Sequence, residues 1–203
     1  IPVNTTRLQY NTNLADQEIR GIMRDKHPAP DQAGVQVRYK GMAWSREEDA
    51  DYVILEYYIK NITEDTIQTL HAGLFADWNI GDQYMNVADW DDKNSMGYVY
   101  NMGYSMPYAG IKLLTNTTPS YYAIDNLGGG SATFAIADGF NTQEKYRSLS
   151  GGVARKKAWG SGSGNDIAHV VGTSAKGLAP GATQLVAFAI VAGDNLEKLQ
   201  KHA

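Results

Sequence analysis

Tyr52-Val-Ile-Leu-Glu-Tyr-Tyr-Ile-Lys60, followed across a polar turn by Ile67-Gln-Thr-Leu-His-Ala-Gly-Leu-Phe-Ala-Asp-Trp78, is the stretch that decides the fold. In the first run Val53, Leu55, Tyr57 and Ile59 share one face, and Glu56 and Lys60 lie on the other. A period of two is the mark of a half-buried strand. The second run puts Leu70, Ala72, Leu74, Ala76 and Trp78 on a common face. Between the runs, Asn61-Ile-Thr-Glu-Asp-Thr66 is turn chemistry. The pattern predicts a long antiparallel hairpin. It delivers an Asp- and Trp-rich loop to one end of a sheet, and the chain leaves that loop through Gly97-Tyr-Val-Tyr100.

Outward from this stretch, Thr5 to Tyr10, Glu18 to Arg24 and Val35 to Trp44 are further candidate strands. Asp25 to Gly34 reads as a loop, because Pro28 and Pro30 cannot donate to a ladder. Ile111 to Leu114 and Tyr121 to Ile124 are strands around the turn Asn116-Thr-Thr-Pro119. Leu127-Gly-Gly-Gly-Ser131 is a break, and Gly160-Ser-Gly-Ser-Gly164 is a loop. Asn141-Thr-Gln-Glu144 has the form of a capping box for a short helix that Gly151 stops. Ile167 to Val171 and Gln184 to Ala192 are the last strands. The latter is apolar on both parities and is expected to be central, covered on both faces. Asp194-Asn-Leu-Glu197 starts a terminal helix. The expectation is an all-β fold: one antiparallel β-sandwich domain over residues 1–203, jelly-roll-like, with one or two short helices.

The bulk properties agree. Of the 203 residues, 43% are hydrophobic and 20% charged, and the 13 Tyr and 21 Gly favour many strands joined by tight turns. A formal charge of -4 without a basic stripe in the sequence argues against nucleic-acid binding. The lack of Cys excludes a disulfide framework, a thiolate zinc site and a thiol nucleophile. No apolar run approaches the ~20 residues a membrane span needs. Starting at Ile1, the chain reads as a piece of a longer protein whose targeting signal would lie outside it.

The acidic stretch is the candidate site. Asp77, Asn79 and Asp82, then Asp89, Asp91 and Asp92, supply the oxygen ligands that Ca²⁺ prefers, although the spacing is not that of an EF-hand. The alternative is that these carboxylates only shape turns or sit in water. Trp78, Tyr84 and Trp90 flank the same stretch, with the choice between a stacking platform for a ligand and packing of the core. His27, His71, His169 and His202 form no metal-binding pair. No G-x-S-x-G elbow is present, since the central slot of Gly160 to Gly164 is Gly162.

Tyr57-Tyr-Ile-Lys-Asn-Ile-Thr63, Leu70 to Gly81, Ala88-Asp-Trp-Asp91 and Gly97-Tyr-Val-Tyr100 resemble β-rich accessory domains of large secreted bacterial proteins. The ending, with Leu178-Ala-Pro-Gly-Ala182 and Val191-Ala-Gly-Asp194, fits the same pattern. In such proteins the domain often follows a subtilisin-like serine protease domain and precedes a C-terminal secretion-sorting domain. The resemblance implies a secreted or cell-surface location, flanking domains of the same polypeptide as partners, and no catalytic residue in this chain. Asn79 stands where that pattern favours Asp, which removes one formal charge from a calcium site. Two other functions remain open: a carbohydrate-binding module using Trp78, Tyr84, Trp90 or Trp159, and a hydrolase in its own right acting through loop carboxylates.

Overall fold

The computed structural model describes residues 3–24, 33–103, 107–129 and 135–203. Most of the loop expected at Asp25 to Gly34, and the end of the break at Leu127 to Ser131, lie outside the described residues, as does His27. Among the described residues, twelve strands and two helices follow in order: β1 Thr5–Tyr10, β2 Gln17–Arg24, β3 Val35–Ala43, β4 Tyr52–Asn61, β5 Ile67–Trp78, β6 Asn86–Asp91, β7 Met96–Asn101, β8 Tyr108–Leu113, β9 Pro119–Asp125, α1 Thr142–Ser150, β10 Val153–Arg155, β11 Ile167–Leu178, β12 Thr183–Gly193 and α2 Leu196–His202. The protein is an all-β sandwich built on antiparallel sheets. One sheet has the order β1-β2-β3-β4-β12-β8-β7-β6, the other β10-β9-β11-β5. The short β10 runs parallel to β9.

The chain divides into two compact units, Ile1–Leu70 with Ala175–Ala189, and His71–Ser174 with Ile190–Ala203. In the second unit the two sheets meet face to face. Trp90 of β6 stacks on Tyr121 of β9, with ring centroids 4.8 Å apart. Gly97 of β7 leaves room for the same ring: a Cβ there would come within 2.4 Å of Tyr121. Tyr121, Ile167 and Val171 are fully buried in this layer, while Ile124 is buried on the opposite face of the same sheet with Tyr122, Ala168 and Val170. Each such side chain contributes about 2 kcal/mol of hydrophobic stabilisation. In the first unit, Tyr57 of β4 meets Phe188 of β12 edge-on at 6.3 Å.

The strands read from alternation are present, with β6 and β10 in addition, but their partners differ from the expected ones. β4 and β5 do not form a hairpin: β4 lies between β3 and β12, while β5 pairs in the other sheet beside β11. The turn between them is a crossover, and the buried Asn61 holds it. Asn61 Nδ2 donates to the carbonyls of Asp65 (2.8 Å) and Leu178 (2.9 Å), and its Oδ1 accepts from the Thr63 amide and hydroxyl, both at 2.8 Å. The acidic stretch is also not one loop, since Asp89 and Asp91 lie on β6. β12 is central in its sheet but not covered on both faces: Val186, Phe188 and Val191 are buried, whereas Leu185 and Ile190 are exposed. β11 is buried without interruption from Ile167 to Thr173.

Both helices begin as their sequences predict. Asn141 Oδ1 accepts from the amides of Gln143 and Glu144, and Glu144 Oε2 accepts from the Asn141 amide, completing the capping box of α1. Asn195 caps α2, which buries Leu199.

Candidate functional site

The six predicted calcium ligands are not gathered around one point. Asp77 Oδ1 accepts from Asn126 Nδ2 at 2.8 Å, an amide it shares with Asp166 (2.9 Å). Asn79 is exposed. Asp82 caps the short 3-10 turn Gln83–Met85, accepting from the Tyr84 amide at 3.0 Å. Asp89 Oδ1 accepts from the Trp90 amide (2.8 Å), and its Oδ2 lies 3.7 Å from Lys157 Nζ. Asp91 closes the β6–β7 hairpin, accepting from the Lys93 amide, from the amide and side chain of Asn94, and from Gln200 Nε2. Burial pushes its carboxyl up, but these hydrogen bonds outweigh that and hold it below the usual range. Asp92 accepts from Trp90 Nε1 (3.0 Å) and Lys156 Nζ (2.6 Å), and the Lys156 contact lowers its pKa. Among the described residues, no group of three or more His, Asp or Glu side chains converges as a metal site.

Two asparagines that sequence reasoning passed over organise this rim. Asn86 and Asn101 each donate to the carbonyls of both Ile80 and Asp82, at 2.6 to 3.0 Å. Asn86 Oδ1 in turn accepts from the Ile80 amide at 2.9 Å. A second such hub is Asp125, fully buried. It pairs with Arg155 and accepts from the Gly160 amide (2.6 Å) and Asn165 Nδ2 (3.0 Å). The Gly/Ser loop is therefore pinned at both ends. At Gly164, with φ +97°, a Cβ would strike the Met85 backbone at 2.5 Å.

Of the three predicted ligand-binding aromatics, Trp90 is buried in the core and Trp78 is part-buried. Trp90 is 7% exposed and stacked on Tyr121, whose hydroxyl donates to the Asp89 carbonyl at 3.0 Å. The faces of its ring are thus given to packing and not to a ligand. Trp78 Nε1 donates to His169 Nε2 at 3.1 Å, with the rings edge to face. His169 is fully buried, and burial pushes its pKa down to about 3, so it is a neutral core imidazole. Tyr84 alone of the three is a surface ring, 57% exposed.

A different aromatic cluster lies on the outer face of β7 and β8. Gly97 and Val99 point to the other sheet, so alternation turns Tyr98 and Tyr100 outward. Tyr108 joins them from β8. The three rings are near-parallel: centroids are 5.2 Å apart for Tyr100–Tyr108, 6.2 Å for Tyr98–Tyr100 and 6.4 Å for Tyr98–Tyr108. All three are partly exposed. Among the described residues, none of their hydroxyls is hydrogen-bonded to protein. Burial, followed by the negative field of Asp89 opposite Tyr98, pushes the Tyr98 and Tyr100 phenols up. They stay protonated and can both donate and accept. Lys157, beside Asp89, also lies 4.3 Å over the ring of Trp159, which is 40% exposed. The signal for this cluster was present in Gly97-Tyr-Val-Tyr100. Its meaning depended on which parity faced the second sheet.

No protein-family model matches the chain, and no curated protein does. Solved structures do match. Two crystal structures of the heparan sulfate lyase HepC from Pedobacter heparinus, one of them a mutant, are 12% identical to this chain, with TM-scores of 0.46 and 0.45. Each match covers 94% of this chain and 22% of the lyase, so the chain spans about a fifth of the length of these neighbours.

The hydrolase alternative finds no support in the histidines that the fold buries or packs. His71 lies edge-on to Tyr146 of α1 at 5.4 Å, and His169 is held by Trp78. Glu56 on β4 is 2.8 Å from Lys40 and accepts from the Tyr58 hydroxyl at 2.9 Å, so it is held in an ion pair.

Proposed function

We propose that this chain is a non-catalytic binding module that recognises carbohydrate through the outer face of β7 and β8. The observation that carries the reading is the cluster Tyr98, Tyr100 and Tyr108. It offers aromatic surface and three hydroxyls without a hydrogen bond among the described residues, with Asp89, Lys157 and Trp159 close by. Apolar ring surface beside polar groups that donate and accept is the combination a sugar needs, since its C–H faces pack and its hydroxyls hydrogen-bond. A role as an accessory domain of a secreted or cell-surface bacterial protein, beside a subtilisin-like protease domain, belongs to the same reading. It is supported by the sequence resemblance of residues 35–200.

The test is retention on neutral polysaccharides in affinity electrophoresis. Wild-type protein is expected to be retarded by at least one polysaccharide, and Tyr100→Ala with Tyr108→Ala to lose that retardation while keeping its melting temperature. Trp90→Phe, which keeps a core ring and gives up only the hydrogen bond to Asp92, is expected to keep it. Equal retardation of the tyrosine variant would overturn the reading.

A further inference from the structure

The first unit gathers cations on one face of its sheet. Register sets Arg7 opposite Arg20, Arg20 opposite Lys40, Arg24 opposite Gln36, and Gln36 opposite Lys60, while Arg38 faces Tyr58. Opposed residues share a face. Arg7, Arg20, Arg24, Arg38, Lys40 and Lys60 therefore stand on one side of β1 to β4. The carboxylates on that side are Glu18, paired with Arg20, and Glu56, paired with Lys40. Among the described residues, Arg7, Arg24 and Arg38 make no ion pair. The face is basic in a chain whose net charge is -4. Like charges opposed across a ladder are destabilising, so sheet stability does not explain the arrangement. Local rules broken without a stability gain mark functional positions.

A cleft of about 500 Å³ opens on this face, lined by Arg20, Ile22, Arg38, Lys40 and Tyr58. Its floor is the backbone at Gly21 and Tyr39. Arg38 lies 5.6 Å over the Tyr58 ring, and the Tyr58 hydroxyl is held by Glu56. Tyr58 thus gives one ring face to Arg38 and its hydroxyl to Glu56, which disfavours it as a stacking platform for a nucleic-acid base. The site offers separated positive charges along a flat sheet, suited to anionic groups spaced along a non-aromatic chain.

We propose that this face binds an acidic polysaccharide, with Arg38 in the cleft and Arg7 and Arg24 beside it taking its carboxylate or sulfate groups. The inference rests on the carbohydrate reading for the class of polymer, but on a separate set of residues in the other unit. The test is affinity electrophoresis in gels containing dextran sulfate, polygalacturonate or neutral dextran, at low and at raised salt. Retardation by dextran sulfate, polygalacturonate or both is expected, and which one identifies the anionic group. It should weaken as salt rises, as charge-driven binding does. Arg7→Gln with Arg38→Gln is expected to bind about tenfold more weakly at an unchanged melting temperature. Arg24→Gln alone should give a smaller loss, which keeps the test decisive if the double variant does not fold. In the same gels Tyr100→Ala with Tyr108→Ala should leave the salt-sensitive part intact, so failure of one reading is separable from failure of the other. The proposal is overturned by absence of binding to both acidic polymers at low salt, by full binding of the arginine variants, or by equal binding of oligothymidylate.

Discussion

His169 shows how a single residue ties this fold to pH. It sits between Trp78 and Tyr121 with no exposure, and its Nδ1 has no hydrogen-bond partner. Folded, it takes up a proton only near pH 3; unfolded, at its ordinary value of 6.5. Between those values the unfolded chain binds one more proton than the folded one. Stability contributed by this site is therefore complete above pH 6.5 and is lost as pH falls toward 3, at up to about 1.4 kcal/mol per pH unit. Urea unfolding midpoints are expected to drop between pH 7 and pH 4. His169→Gln, which keeps an acceptor for Trp78 but cannot titrate, should flatten that dependence while starting from lower stability. An equal slope in the variant would place the proton uptake elsewhere. Nothing in the sequence marks this histidine as interior except the apolar run it belongs to, Ile167 to Val171.

At the scale of elements, alternation and capping were legible and pairing was not. β1 begins and ends where its pattern predicts, and α1 opens on the capping box that Asn141 and Glu144 spell out. Both signals are local, carried by neighbours within a few residues. The partner of a strand is a non-local property. The turn after β4 looks like a hairpin turn, yet it changes sheets because Asn61 reaches the Leu178 carbonyl, 117 residues away in sequence. Asn61→Ala removes every hydrogen bond of that side chain; the Asp65 carbonyl keeps the Thr63 hydroxyl, whereas the Leu178 carbonyl loses its Asn61 donor. The substitution is expected to lower stability by about 2–3 kcal/mol in urea denaturation. Asn61→Asp should lower it by at least as much, since a carboxylate cannot donate to Asp65 and Leu178. A change below about 0.5 kcal/mol in either variant would mean the crossover is held by its backbone alone.

For the whole molecule, composition indicated the class of fold and the sign of the net charge, but not where charge accumulates. The carboxylates of Asp77 to Asp92 looked like one anionic rim when read along the chain. Folded, they are distributed among a cap, a hairpin turn and lysine pairs, because a strand, β6, runs through the middle of them. The basic face of β1 to β4 was hidden for the converse reason: its arginines are scattered in sequence and collected only by register. A bound ion raises the melting temperature by mass action. With the carboxylates so engaged, melting in millimolar Ca²⁺ and in chelator is expected to agree within about 1 °C. A clear rise with Ca²⁺ would restore the metal reading.

The contact between Trp78 and His169 also gives this protein a built-in optical readout. A part-buried indole held against a neutral, fully buried imidazole emits at shorter wavelength than one in water. Once acid opens the second unit, that indole meets water and its neighbour becomes an imidazolium, which quenches it. Red-shifted, dimmed emission should thus track the same proton that governs acid stability, and Trp78→Phe would remove the quenched component while the signals of Trp44, Trp90 and Trp159 remain.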